Sequence, residues 1–310
     1  MSRVTQSLAR ESLSRSQLNR EEVSSGTATY ATYSDLPVSG NDGDYAVLTS
    51  YTPPVTVRYD ENNGWVPPGL YGGPELTSSF DFNARNLELD DGDPVPSWGG
   101  LSQAVGSAQP TYRATDGPGG GPAVEFDGGD YLSTTNSTAL GGARYVNTVA
   151  VCDLDSIANH AFFGYGPGSS TPLLQLTVNN DLQFRNRTVS TDAVGVGVMS
   201  SSGPPTDEWV TIACQTDYTG NVSKGLIGSV DGVEANVPAL DVQAGEVSQN
   251  LATTGTVENA ASNVAVGANQ AGGTQLNGHL ALLTVYRTTA KLTGVQLEAL
   301  GVLAWLRAVG

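Results

Sequence analysis

Residues Pro110–Leu132 read PTYRATDGPGGGPAVEFDGGDYL. A strand-like start is followed by a glycine-proline loop. An alternating apolar run, Ala123-Val124-Glu125-Phe126, then meets the turn Asp127-Gly128-Gly129-Asp130 and leaves through Tyr131-Leu132. Alternation bounded by Gly and Asp predicts a short antiparallel strand with a tight return, because these residues accept the dihedrals that hairpin turns impose.

Outward from this stretch the same grammar repeats. Strands are predicted at Phe80–Phe82, Tyr145–Val151, Ala161–Phe163, Leu173–Val178, Leu182–Arg185, Glu208–Ala213, Leu226–Val230, Ser262–Val266 and Gly278–Tyr286. Gly, Asn and Asp separate them, the pattern of an antiparallel sandwich. The run Asn250–Gly273 reads as a mobile loop followed by a strand. The run after Thr293, a side chain suited to an N-cap, reads as a closing amphipathic helix.

Together with Ser97-Trp98, Trp209-Val-Thr-Ile-Ala213 and the turn Val230-Asp231-Gly232-Val233, residues 76–310 resemble the laminin-G-like, concanavalin-A-like jelly roll. The resemblance implies an all-β, antiparallel β-sandwich with a habit of binding sugars, and it implies that Trp98 anchors the core. It leaves the individual function open, since one fold hosts many activities.

Ahead of the jelly roll lie two further pieces. Residues 1–25 hold four of the fourteen basic residues, with Val4, Leu8, Leu13 and Leu18 scattered as in an imperfect amphipathic helix. They read as an N-terminal arm, either docking on an acidic neighbour or frayed. Residues 27–72 read as a small β module: strands Tyr45–Thr49, Val55–Tyr59 and Gly64–Val66, with the turn Asp60–Asn63 and its Asn-Gly junction making a hairpin. Pro67-Pro68-Gly69 and Tyr71–Pro74 read as a linker. The pattern DLP, GDYAVLT, VRYD, GWVPP resembles small β modules of tailed-phage fibre and appendage proteins.

The chain has 310 residues, 38 Gly, 16 Pro and a net charge of −17. So acidic a surface repels phosphate backbones, which argues against nucleic acid as a partner. There is no apolar run long enough for a transmembrane helix and no secretory pattern near the start, so no membrane insertion is expected. Cys152 and Cys214 sit in strand-like runs and read as small buried hydrophobes.

The chemistry-bearing candidates are few. Glu125 and Asp127 share a strand face, as a retaining glycosidase pair about 5 Å apart would need, but Gly128-Gly129 ends the strand at once. No catalytic residue is therefore assigned and no enzyme is expected. Asp90-Asp91-Gly92-Asp93 and Asp127–Asp130 carry oxygen ligands of the kind calcium takes, without the spacing of a dedicated loop, so both read as turns and no cofactor or metal is assigned. For glycan recognition the candidates are Asn159, His160, Tyr165, Arg185, Asn186 and Arg187, an aromatic with amide and guanidinium groups at strand ends.

The expectation is thus a surface-exposed virion protein, a head fibre, tail fibre or capsid decoration subunit. It would be held to capsid or tail proteins through the arm, homotrimeric, and would display a lectin-like domain toward host polysaccharide. A depolymerase on the same fold and a purely structural decoration protein are the alternatives.

Overall fold

The computed structural model describes residues 27–167, 172–189, 195–200, 204–220, 222–229, 240–248 and 255–310. The arm at 1–25, the turn Val230-Asp231-Gly232-Val233 and the start of the 250–273 loop lie outside the described residues.

Four strands form the N-terminal module: β1 (Ala28–Tyr30), β2 (Tyr45–Leu48), β3 (Val55–Asp60) and β4 (Gly64–Val66), in the order β1-β2-β3-β4. The β3–β4 turn is fixed by the Asp60 carboxylate, which accepts the backbone N–H groups of Asn62 at 2.9 Å and Asn63 at 3.1 Å. A short polar side chain that bonds the backbone ahead of it is the usual device of such turns.

Sixteen strands then build two facing sheets: β5 (Thr77–Asn83), β6 (Ser97–Trp98), β7 (Leu101–Ser102), β8 (Thr111–Arg113), β9 (Ala123–Asp127), β10 (Leu132–Ser137), β11 (Tyr145–Leu154), β12 (His160–Gly166), β13 (Leu174–Val178), β14 (Leu182–Asn186), β15 (Gly195–Ser200), β16 (Val210–Asp217), β17 (Val222–Ser229), β18 (Asp241–Ser248), β19 (Ser262–Val266) and β20 (Asn277–Thr288). One sheet has the order β15-β14-β13-β12-β19-β10-β7-β6. The other runs β18-β17-β16-β11-β20-β9-β8, with β5 also paired to β20. The result is an all-β, jelly-roll-like sandwich.

The decisive stretch behaves differently from its hairpin reading. Strands β8 and β9 do pair, across the glycine-proline loop. The turn after β9, however, does not return along the same sheet: β9 belongs with β20, whereas β10 pairs with β19 and β7 in the opposite sheet. Gly128 at φ +86° breaks the direction. The Asp127 carboxylate holds Gly129 N–H at 2.8 Å, and Leu132 then enters the core of the facing sheet. The turn is a crossover between sheets.

The main core fills the sandwich and includes Phe82, Phe126, Phe162, Phe163, Leu280 and Leu283. Trp98 is buried there, edge-on to Phe82 at 5.5 Å, with its indole N–H on the Asn83 carbonyl oxygen at 3.2 Å. A second core lies outside the β11–β20 sheet. The helix α1 (Gly294–Val309) covers Val149, Val151, Ala213 and Ala281 with Leu297, Leu300, Ala304 and Trp305. Strands β11 and β20 are therefore apolar on both faces, which explains their near-continuous hydrophobic runs. Thr293 caps α1 as its sequence position indicates, accepting from Gln296 N–H at 3.2 Å.

The far side of α1 carries a third core. Leu306, with Val302 and Val309 beside it, packs on Leu48, Tyr51, Val57 and Trp65 of the N-terminal module. The 67–74 segment is consequently no free spacer: Leu70 is buried against the helix side of the sandwich. Among the described residues no helix is long and apolar enough to cross a membrane.

Candidate functional site

The six candidate sugar-binding residues come from β12, β14 and the chain beside them. Asn159 is exposed in the turn before β12, but His160 is buried. Its Nδ1 lies 2.9 Å from the Gln275 carbonyl oxygen and its Nε2 2.8 Å from Ser156 Oγ. A carbonyl only accepts, so Nδ1 carries the proton and Nε2 accepts from the serine. This imidazole locks a loop.

Tyr165 is fully buried, near Phe80 in the main core, and its hydroxyl donates to the Ser137 carbonyl oxygen at 3.3 Å. No face of this ring is open to a sugar, which removes it from the set. The reason is strand parity. Tyr165, Leu174 and Asn186 occupy one register row across β12, β13 and β14, and that row faces inward. Asn186 is therefore also internal, donating from Nδ2 to Thr216 Oγ1 of the opposite sheet at 3.2 Å. Arg187 is buried just beyond it.

Arg185 faces outward, in the alternate row, with its guanidinium on Gln183 Oε1 at 3.0 and 3.2 Å. The six residues thus form no single surface. Only Asn159 and Arg185 reach solvent, and they stand at different ends of the β12–β14 hairpins.

The carboxylates are better placed than the amides, but they are occupied. Glu125, His279 and Asp153 form one row across β9, β20 and β11. Arg113 on β8 holds Glu125 at 2.6 Å, so this carboxylate is committed to an ion pair. Burial pushes the Asp153 carboxyl up, and the neighbouring His279 partly offsets that rise. Asp130 is lifted further, to about 6, first by burial and then by the Asp127 charge, although the Asp127 N–H it accepts works the other way. In the other acidic loop, Asp93 accepts Asp90 N–H at 3.1 Å and Asp91 accepts Ala114 N–H at 3.0 Å. Among the described residues no group of three or more His, Cys, Asp or Glu is arranged to hold a metal ion.

Among the described residues, clefts open on the sandwich at Trp98 and at Arg287. One, of about 410 Å³, lies over Trp98 and is lined by Asp81, Asn86, Ser97 and Ser102. Its one carboxylate is tied to Arg307 at 2.6 Å and Thr284 at 2.8 Å. The other, of about 470 Å³, is lined by Thr77, Arg144, Arg287, Thr288 and Thr289, with Gly142 and Ala143 in its wall.

Strand pairing builds this second cleft. Thr77 on β5 is the register partner of Arg287 on β20, and Tyr145 on β11 is the partner of Thr288. Arg144 and Thr289 sit one step beyond that last pair. No local pattern signals it, because Arg144 and Arg287 are far apart in the chain and are brought together only by the β11–β20 register.

No protein-family model matches the chain, and no curated protein matches it by sequence. Among solved structures, domain 4 of AbnA, a GH43 extracellular arabinanase from Geobacillus stearothermophilus, in complex with arabinotriose, aligns at a TM-score of 0.41 and 14% identity, covering 72% of this chain and 98% of that one. The CBM40 of the Ruminococcus gnavus IT-sialidase aligns at 0.42 and 14%, covering 58% and 96%. A carbohydrate esterase from Shiga toxin-encoding bacteriophage phi24B aligns at 0.34 and 12%, covering 69% and 100%. The strand pairing of this chain itself defines the sandwich.

Proposed function

We propose that this chain is a glycan-binding appendage protein of a tailed phage, a head-fibre, tail-fibre or capsid-decoration subunit whose jelly roll meets host surface polysaccharide. The observation that carries the binding part is the 470 Å³ cleft: Arg144 and Arg287, with Thr77 and Thr289, line a space of small-ligand size. The phage part rests on the resemblance of residues 27–72 to appendage modules. In this reading the basic arm at 1–25 docks on a capsid or tail protein, and a trimer multiplies weak sugar contacts.

Binding without cleavage is the expected mode. The carboxylate best placed for acid-base work, Glu125, is neutralised by Arg113, and hydrolysis needs a second carboxyl acting with it across a groove. The full-length chain, immobilised on beads, is expected to retain host capsular polysaccharide or lipopolysaccharide without creating new reducing ends. Reducing ends that disappear in Glu125→Gln would establish the depolymerase instead. Neither retention nor cleavage would leave a structural decoration role.

A further inference from the structure

We infer that the Arg144–Arg287 cleft recognises the carboxylate of an acidic sugar; the inference rests on the glycan-binding reading above. Acidic residues outnumber basic ones 31 to 14 in this chain, so a guanidinium on its surface has carboxylates to choose from. Several cations have been matched within the fold. Arg113 pairs with Glu125 at 2.6 Å, Arg307 with Asp81 at 2.6 Å, and Lys291 with Asp217 at 3.7 Å. Arg58 lies over the rings of Tyr71 and Tyr45, and Arg85 binds the last carbonyl oxygens of α1.

The two arginines of the cleft depart from this. Arg144 is exposed; its carbonyl oxygen accepts Tyr218 N–H at 2.9 Å, while its guanidinium makes no hydrogen bond or ion pair among the described residues. Arg287 is half-buried and donates once, from Nη1 to the Ala139 carbonyl oxygen at 3.1 Å. That bond positions the group without neutralising it. Asp217, on the strand next to Tyr145, is already engaged by Lys291 and by the N–H groups of Thr219 and Gly220. Two guanidiniums without carboxylate partners therefore line one small cleft, and a planar fork matches a carboxylate with paired N–H donors.

The remaining wall suits a sugar ring. Thr288 has its hydroxyl spent internally, accepting from Asn147 Nδ2 at 3.1 Å and donating to the Ala290 carbonyl oxygen at 2.8 Å, so it serves as wall. Thr77 and Thr289 are exposed and present hydroxyls beside the arginines. The space, about 470 Å³, is of small-ligand size. A hexuronate, with one carboxylate and a ring of hydroxyls, satisfies both features. The net charge of −17 repels polyanions at long range, so the attraction has to be local.

The test reads the Nε–H NMR signals of Arg144 and Arg287 in the full-length chain while glucuronate, glucose or tetraglutamate is added. It is run beside calorimetry on uronate-containing oligosaccharides and their carboxyl-reduced forms. Glucuronate is expected to shift both signals and glucose neither, and the acidic oligosaccharides should bind about tenfold tighter than their reduced forms. Arg144→Ala should erase that tenfold preference, and Arg287→Lys should retain part of it. Equal binding of acidic and reduced forms would overturn the inference and leave the glycan reading intact. No glucuronate shift would overturn it as well. Equal shifts with tetraglutamate would replace the sugar with an acidic protein segment, and binding to no glycan at all would remove both readings.

Discussion

Asp130 shows how far one carboxyl can be pushed by a turn. Its side chain is buried beside Asp127, and burial raises its titration to about 6 from the ordinary 3.8. A carboxyl that titrates higher in the folded chain than in the unfolded one favours folding while it is protonated. That contribution is complete below about 3.8 and is lost as pH rises through about 6. Asp130→Asn, which keeps an acceptor for Asp127 N–H, should therefore raise the melting temperature at pH 7.5, with the gain disappearing near pH 4. A gain of equal size at both pH values would show that the charge is not responsible. Nothing in DGGD as a sequence foretold this, because the shift depends on Asp130 being covered where the chain changes sheets. The same limit explains Tyr165 and Asn186. Their residue types suit sugar contact, but the inward row they share is fixed by pairing with Leu174, which local sequence does not disclose.

Strands with strong apolar character were legible, those built of small polar residues less so. β11 and β20 stand out because α1 and the main core bury both of their faces. β10, LSTTNS, carries little apolar signal beyond Leu132 and is held as a strand by β19 and β7 on either side. The closing helix was legible from its cap and periodicity, but its tether was not. Arg307 in the last turn reaches Asp81 on β5 at 2.6 Å and the Tyr286 hydroxyl on β20 at 2.9 Å, and Thr284 donates to the same aspartate at 2.8 Å. Removing one member strands a half-buried charge, so Asp81→Asn should cost about 2 kcal/mol in urea unfolding. Arg307→Met retains the packing and should cost less. Because the two residues form one unit, the double variant should lose less than the two single losses added together; simple additivity would show that they act independently.

At the scale of the whole molecule, the N-terminal module and the sandwich share a helix. Leu306 is buried in the core of the module, while Leu300 and Trp305 are buried against the sandwich. Deleting residues 27–72 should therefore bare one face of α1, with Leu306, Val302 and Val309 newly wetted. At about 1.5–3 kcal/mol for each large apolar side chain re-exposed, the three together are expected to lower the melting temperature by roughly 10–30 °C. Dye binding to the bared face should rise. An unchanged melting temperature would mean that the module is a passenger.

Strand β20 has a further consequence, for synthesis. It sits between β11 on one side and both β5 and β9 on the other, and its residues run only from Asn277 to Thr288. The ribosome must deliver the chain as far as β20 before these earlier strands receive their shared partner. At roughly 5–20 residues per second, the nascent chain spends seconds with the edges of β5, β9 and β11 unpaired. Those edges are the places where a nascent-chain chaperone has work to do, and where codons that delay synthesis of the stretch leading to β20 would raise the yield of aggregates.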